Sequence, residues 1–202
     1  MKPATDTTRL PGRIEAVVIG ASAGGVEALT HLLPALHRDV AAAFFVVLHL
    51  PRTRPSLLAD IFQTRCALPV SEAMDKQEVV VGHVYVAPPD YHLLLDPGPQ
   101  LSLSVDAPVN FSRPSIDVLF ESAADLYAER LAGVLLTGGN DDGAAGMAAI
   151  RGRGGVTVVQ DPRDAQMPLM PESALRLGPA DHVMPLDGIA GLLASLRRTG
   201  SS

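Results

Sequence analysis

Three polar groups stand at the ends of apolar runs, and their types suit a serine hydrolase. Ser22 lies in Gly20-Ala21-Ser22-Ala23-Gly24-Gly25, a G-x-S-x-G pattern directly after Ile14–Ile19. A hydroxyl on a sharp turn with small neighbours leaves room for a base and a substrate together. The N–H of Ala23 would face the same space and could hold a developing oxyanion, supported by the dipole of a following helix. A phosphate-binding loop has a similar glycine-rich turn. Against it, Ser22 occupies the second-glycine position of G-x-G-x-x-G, and no P-loop lysine follows.

His49 ends the run Phe44–Leu48. A strand-end histidine alone is more often bonded to a backbone carbonyl. Adjacent parallel strands lie about 4.8 Å apart, however, so loops leaving their ends can bring an imidazole to a hydroxyl. Within about 3 Å, a neutral imidazole takes the serine proton as the oxygen attacks. The imidazolium then needs a carboxylate on its far nitrogen. Asp141 and Asp142 follow Leu131–Leu136. One is expected to cap the next helix, and Asp142, directly before Gly143-Ala144, to face inward. The order Ser, His, Asp differs from the Ser, Asp, His order of α/β-hydrolases.

Alternating strands and helices must position these groups. The first helix carries Val26, Leu29, Leu32, Leu33 and Leu36 at helical spacing through His37, and Pro55-Ser56 opens another. Val79–Val86 is strand-like with Gly82 as a bulge, and His92–Leu95 pairs with Leu101–Val105 around Asp96-Pro97-Gly98. Helical spacing returns over Pro114–Tyr127. After the Asp141-Asp142 loop, a helix runs through Ile150, strands follow at Val156–Val159 and His182–Met184 with a helix at Pro171–Leu177 between them, and a last helix spans Asp187–Arg198 with Asp187 as N-cap. The pattern predicts an α/β fold: a doubly wound, mostly parallel sheet flanked by helices, with an antiparallel hairpin excursion in the middle third. Residues 1–12 are expected to be a frayed N-terminus, 13–198 a single domain, and 199–202 a tail.

Composition narrows the function. Of 202 residues, 47% are hydrophobic, 19% charged and 4% aromatic, so a Val, Leu, Ile and Ala core under helices is expected. A net charge of −6 with scattered Lys and Arg, Arg197-Arg198 reading as a solvated helix end, argues against a nucleic-acid partner. The apolar runs are too short for membrane insertion. One cysteine, Cys66, and the absence of a secretory h-region suit a cytoplasmic protein. Cys66 itself reads as a small packing residue, and His83, His92 and His182 lack metal-site spacing.

These residues resemble the catalytic domain of the chemotaxis protein-glutamate methylesterases (CheB) over nearly the whole chain, from about Val17 to Leu196. The matching segments are Gly20–Gly25, the strand ending in His49, Val84-Tyr85-Val86-Ala87-Pro88, His92-Leu93-Leu94, Arg113–Phe120, Leu136-Thr137-Gly138, Asp142-Gly143-Ala144, Gly154-Gly155, Gln160-Asp161 and Met170-Pro171. The resemblance implies hydrolysis of γ-glutamyl methyl esters on bacterial chemoreceptors, with deamidation of receptor glutamines as a further activity. It places the nucleophile on Ser22, the histidine on His49 and the aspartate on Asp142 rather than Asp141. It implies no metal or organic cofactor. Chemoreceptor cytoplasmic helices are the implied partners, with a separate response regulator or methyltransferase as further candidates.

Two departures stand out. Family members usually carry an N-terminal receiver domain, for which 202 residues leave no room, so a stand-alone form is expected. The family's Gly-Met-Gly-x-Asp-Gly loop reads Gly138-Gly139-Asn140-Asp141-Asp142-Gly143 here. Gly139 N–H is a second oxyanion candidate in that stretch. Arg113 is expected either to pair with Asp117 one helical turn on or, by the resemblance, to line the receptor cleft. Met167 and Met170 either border the mouth of the site or pack. A triad esterase or amidase with another substrate, and a non-catalytic signalling module, remain the alternatives.

Overall fold

Alternate residues of the central strands feed two separate cores. The structure, a computed structural model, describes residues 14–49 and 57–196. In β1 (Ala16–Ala21), Val17, Ile19 and Ala21 enter one apolar layer and Ala16 and Val18 the other. In β2 (Ala43–Leu48), Phe44, Val46 and Leu48 likewise oppose Phe45 and Val47. Strands covered on both faces carry apolar residues on both, which is why these runs are continuous.

Further strands are β3 (Val70–Glu72), β4 (Val84–Val86), β5 (His92–Asp96), β6 (Gln100–Ser104), β7 (Leu131–Leu135), β8 (Val156–Gln160) and β9 (His182–Met184). Seven of them form a parallel sheet in the order β3-β4-β2-β1-β7-β8-β9. β5 and β6 make a separate antiparallel hairpin. The doubly wound sheet and its excursion are as expected from the sequence.

Helices α1 (Gly25–Leu32), α2 (Leu58–Gln63) and α6 (Leu186–Ala194) cover one face, contributing Leu29, Phe62 and Leu192 to its core. Helices α3 (Ile116–Tyr127), α4 (Ala144–Gly152) and α5 (Leu169–Leu177) cover the other with Phe120, Ile150 and Met170, joined by Leu93 and Leu101 of the hairpin. From β1 the chain winds out to one edge and returns to β7 on the other side of β1. The order reverses at β1, where the carboxyl ends of an open sheet leave a crevice.

Several boundaries differ from expectation. Only Val84–Val86 of the Val79–Val86 run pairs. Gly82, at φ +78°, sits in the turn before β4 and is not a bulge. The first helix changes to a 3-10 turn at Leu33–Ala35, where Pro34 has no N–H to continue the α pattern. α3 starts at Ile116, two residues after Pro114, because Ser115 is extended. Asp187 does not cap α6: Pro185 stands there, and the Asp187 carboxylate accepts from His31 Nε2 at 2.7 Å. The helix start at Pro55-Ser56, the Arg197-Arg198 helix end and both expected termini lie outside the described residues. Among the described residues no helix is long and apolar enough to cross a membrane.

Candidate active site

Ser22 leaves β1 in a turn fastened from the β7 side. Its N–H donates to Thr137 O at 3.0 Å, and its carbonyl accepts from Gly25 N at 2.8 Å. The Thr137 hydroxyl donates to Ala23 O at 2.9 Å and accepts from Met167 N at 2.9 Å. Thr137 N–H in turn donates to Gln160 Oε1 at 2.9 Å. The turn's left-handed residue is Gly24, at φ +80°, where a Cβ would also meet the Gln166 side chain at 2.3 Å. Only glycine fits there. The backbone N–H groups of Ala23 and Gly139 donate to no other described residue, and both residues are exposed.

His49 continues the ladder beyond β2, its N–H donating to Ala21 O at 3.1 Å. The strand end thereby fixes where the ring emerges. Its Nε2 lies 2.9 Å from Asp142 Oδ2. The carboxylate side chain is fully buried and the imidazole is 12% exposed. With an ionised carboxylate as acceptor, Nε2 carries the proton and Nδ1 keeps its lone pair. Among the described residues, neither Nδ1 nor the Ser22 hydroxyl has a hydrogen-bond partner.

The loop after β7 turns Asp142 inward as expected, but the expected aspartate cap on the following helix is not formed. Neither aspartate caps α4 with its side chain; Gly143, at φ +94°, holds the N-cap position, and only the Asp141 backbone carbonyl accepts from Ala144 N. Asp142 instead caps α3. Its Oδ2 accepts from Ile116 N at 2.7 Å, and its Oδ1 accepts from Asp117 N at 3.1 Å, Ser115 Oγ at 2.8 Å and Asn110 Nδ2 at 3.0 Å. Burial alone would raise this carboxyl. The donors from His49, Ile116, Asn110 and Asp117 outweigh it and hold the group below the usual carboxylate range. Each bond to an ionised acceptor is charge-assisted, and a helix N-terminus favours an anion.

A second carboxylate lies behind the first. Asp117 Oδ1 accepts from Gly146 N at 2.6 Å and Oδ2 from Asn110 Nδ2 at 2.8 Å, so one amide bridges Asp117 and Asp142. Burial, with a smaller push from the charge of Asp142, raises Asp117 to about 6. The expected Arg113–Asp117 pair is not formed. Arg113 bonds Asp90 Oδ1 through Nε and Nη2, and the carbonyls of Val105 and Asp106 through Nη1. It thus ties together the loops before and after the hairpin.

Met170 is fully buried in the core, whereas Met167 is exposed beside Gly139. Asn110, Ser115 and Thr137 are contacts that sequence reasoning missed; the signal was faint, since each is an ordinary loop residue until folded. Among the described residues no group of His, Cys, Asp and Glu could hold a metal ion. Cys66 is buried, and burial pushes its thiol up.

A doubly wound α/β sheet with polar residues gathered where its strand order reverses is the architecture of an α/β enzyme. The CheB methylesterase family matches residues 17–193, and the chain belongs to that family. The catalytic domain of the CheB methylesterase of Thermotoga maritima superposes with a TM-score of 0.86 at 34% identity, covering 92% of this chain and 100% of that one. A chain of Leptospira interrogans, proposed to be a protein-glutamate methylesterase/protein-glutamine glutaminase, is 44% identical over 182 residues, covering 90% of this chain and 94% of its own. The protein-glutamate methylesterase/protein-glutamine glutaminase of Symbiobacterium thermophilum is 41% identical over 182 residues, where the match spans 50% of that longer protein.

Proposed function

We propose that this chain is a cytoplasmic protein-glutamate methylesterase that also deamidates glutamine, acting on chemoreceptor helices through Ser22, His49 and Asp142. The observation that carries the reading is the 2.9 Å bond between His49 Nε2 and the buried Asp142 carboxylate. It reserves one imidazole nitrogen as a base at the carboxyl end of β2, next to the strand that presents Ser22. In enzymes of this type the serine–histidine bond commonly tightens only on substrate binding.

The chemistry follows from that arrangement. Ser22 Oγ attacks the ester carbonyl carbon as His49 Nδ1 takes its proton, and Asp142 stabilises the imidazolium without being protonated itself. The N–H groups of Ala23 and Gly139 stabilise the oxyanion. As the C–O bond breaks, His49 returns its proton to the leaving oxygen and methanol departs; with a glutamine substrate the leaving group is ammonia. Water, deprotonated by His49, then attacks the acyl-serine to release glutamate and restore Ser22. Arg113 serves the cleft indirectly, by pinning the loops at its edge. Chemoreceptor helices are the partners this activity needs, and a separate response regulator or methyltransferase would be further ones.

A fluorophosphonate probe is expected to label wild type on Ser22, and His49→Ala to abolish labelling. Methanol release from methylated receptor should fall on the order of 10⁶ in kcat with Ser22→Ala. Unchanged turnover in Ser22→Ala would remove the mechanism.

A further inference from the structure

Beside the candidate site stands a turn whose sequence its own geometry disfavours. Val109 N–H donates to Ser112 O at 3.1 Å and Ser112 N–H to Val109 O at 2.9 Å, closing a two-residue turn. Its central residues, Asn110 at φ 49° and Phe111 at φ 61°, are both left-handed. That is the type I′ arrangement, which favours Asn followed by Gly. Asn110 fits, and its amide is bonded inward to Asp142 and Asp117. Phe111 does not fit. A bulky residue at positive φ is strained, and among the described residues no packing offsets the strain, since Phe111 is 101% exposed. An aromatic side chain held out in water on a strained backbone points to a contact made outside the folded chain.

Its position specifies the contact. Phe111 is one residue from a direct ligand of Asp142. At the Ser22 end, Met167, 42% exposed, donates its N–H to the Thr137 hydroxyl and lies beside Gly139, a second apolar side chain at the site. A side-chain ester carried on a protein brings its host backbone up to the Ser22 hydroxyl, and the Asn110-Phe111 turn and Met167 both belong to loops bonded to the site. Resting on the function proposed above, we infer that Phe111 is a specificity-determining residue that seats the apolar side chains flanking the modified glutamate on the substrate helix. It acts in binding the protein substrate and takes no part in bond breaking.

The full chain carrying Phe111→Ala or Phe111→Asn tests this. Phe111→Asn relieves the left-handed strain, so its Tm should equal or exceed that of wild type, and a loss of function then cannot be ascribed to unfolding. Both variants should lower kcat/KM for methylated receptor about 10-fold, chiefly through KM, as truncating a buried aromatic contact does. Hydrolysis of p-nitrophenyl acetate and fluorophosphonate labelling should stay at wild-type rates. Equal kcat/KM on receptor for wild type and Phe111→Ala, or an equal loss on receptor and small ester, overturns the assignment of Phe111 alone. A wild type inert toward probe, small ester and receptor overturns the hydrolase reading, and this inference with it.

Discussion

Asparagine at position 142 would separate the shape of the carboxylate from its charge. Three donors converge on Oδ1 and two on Oδ2. The new amide nitrogen therefore settles on the Oδ2 side, facing His49 Nε2 and Ile116 N–H. His49 answers by accepting there, which moves its proton to Nδ1 and, in the mechanism proposed above, blocks that nitrogen from receiving the serine proton. The equivalent change in a serine protease lowers kcat by about 10⁴, and a similar loss is expected here. Ile116 N–H loses its acceptor, about 1–3 kcal/mol, and the α3 N-terminus loses its anion, about 0.3–1 kcal/mol. For a chain of this size the sum corresponds to a Tm lower by about 3–15 °C. Because the Asp142 pKa is depressed, its stabilisation is complete above the ordinary carboxylate range and is lost as pH falls through the lowered value. The Tm deficit of Asp142→Asn should accordingly shrink below about pH 4. Methanol release and thermal melts over a pH series measure both effects. A kcat within tenfold of wild type, or a melt that does not move, would refute the reasoning.

Two further outcomes follow from the neighbouring geometry. Asp117, raised to about 6, binds its proton more tightly folded than unfolded, so its contribution to stability declines as pH rises from about 4 to 6 and stays low above that. Asp117→Asn should remove this slope, gaining on wild type in stability between pH 4.5 and 7.5 by on the order of 3 kcal/mol at most; parallel stability curves would contradict it. Gly24→Ala, forced to φ +80° against Gln166, should cost about 1–3 kcal/mol and cut fluorophosphonate labelling, because the Ser22 turn must shift; wild-type labelling with an unchanged melt would show the turn tolerates a side chain.

The strands were legible because burial on both faces leaves an unbroken apolar run, as in β1 and β2. Ser22, His49 and Asp142 stood out because each lies in the segment that follows such a run at its carboxyl end. What holds them was not legible, since the partners are distant in sequence. Ser115 and Asn110 meet Asp142 only after α3 packs beside α4, and Thr137 meets Ala23 only when β7 pairs with β1. Helical spacing misled at Arg113, which lies before α3 and is separated from Asp117 by the extended Ser115, so the one-turn rule does not apply. The pair of aspartates misled similarly: a carboxylate just before one helix turned out to cap another.

The strand that presents Ser22 lies in the middle of the sheet, yet its neighbour on one side, β7, comes from the second half of the chain. During synthesis, a ribosome that has made Ser22 and His49 has not yet made Asp142 or the strand that closes that side of β1. Until then Ala16–Ala21 is an apolar edge with open backbone groups, the kind of surface that chaperones cover and that aggregates when left bare. Truncated forms ending before Leu131 should for the same reason be insoluble, and the bond between His49 and Asp142 forms only in a finished sheet.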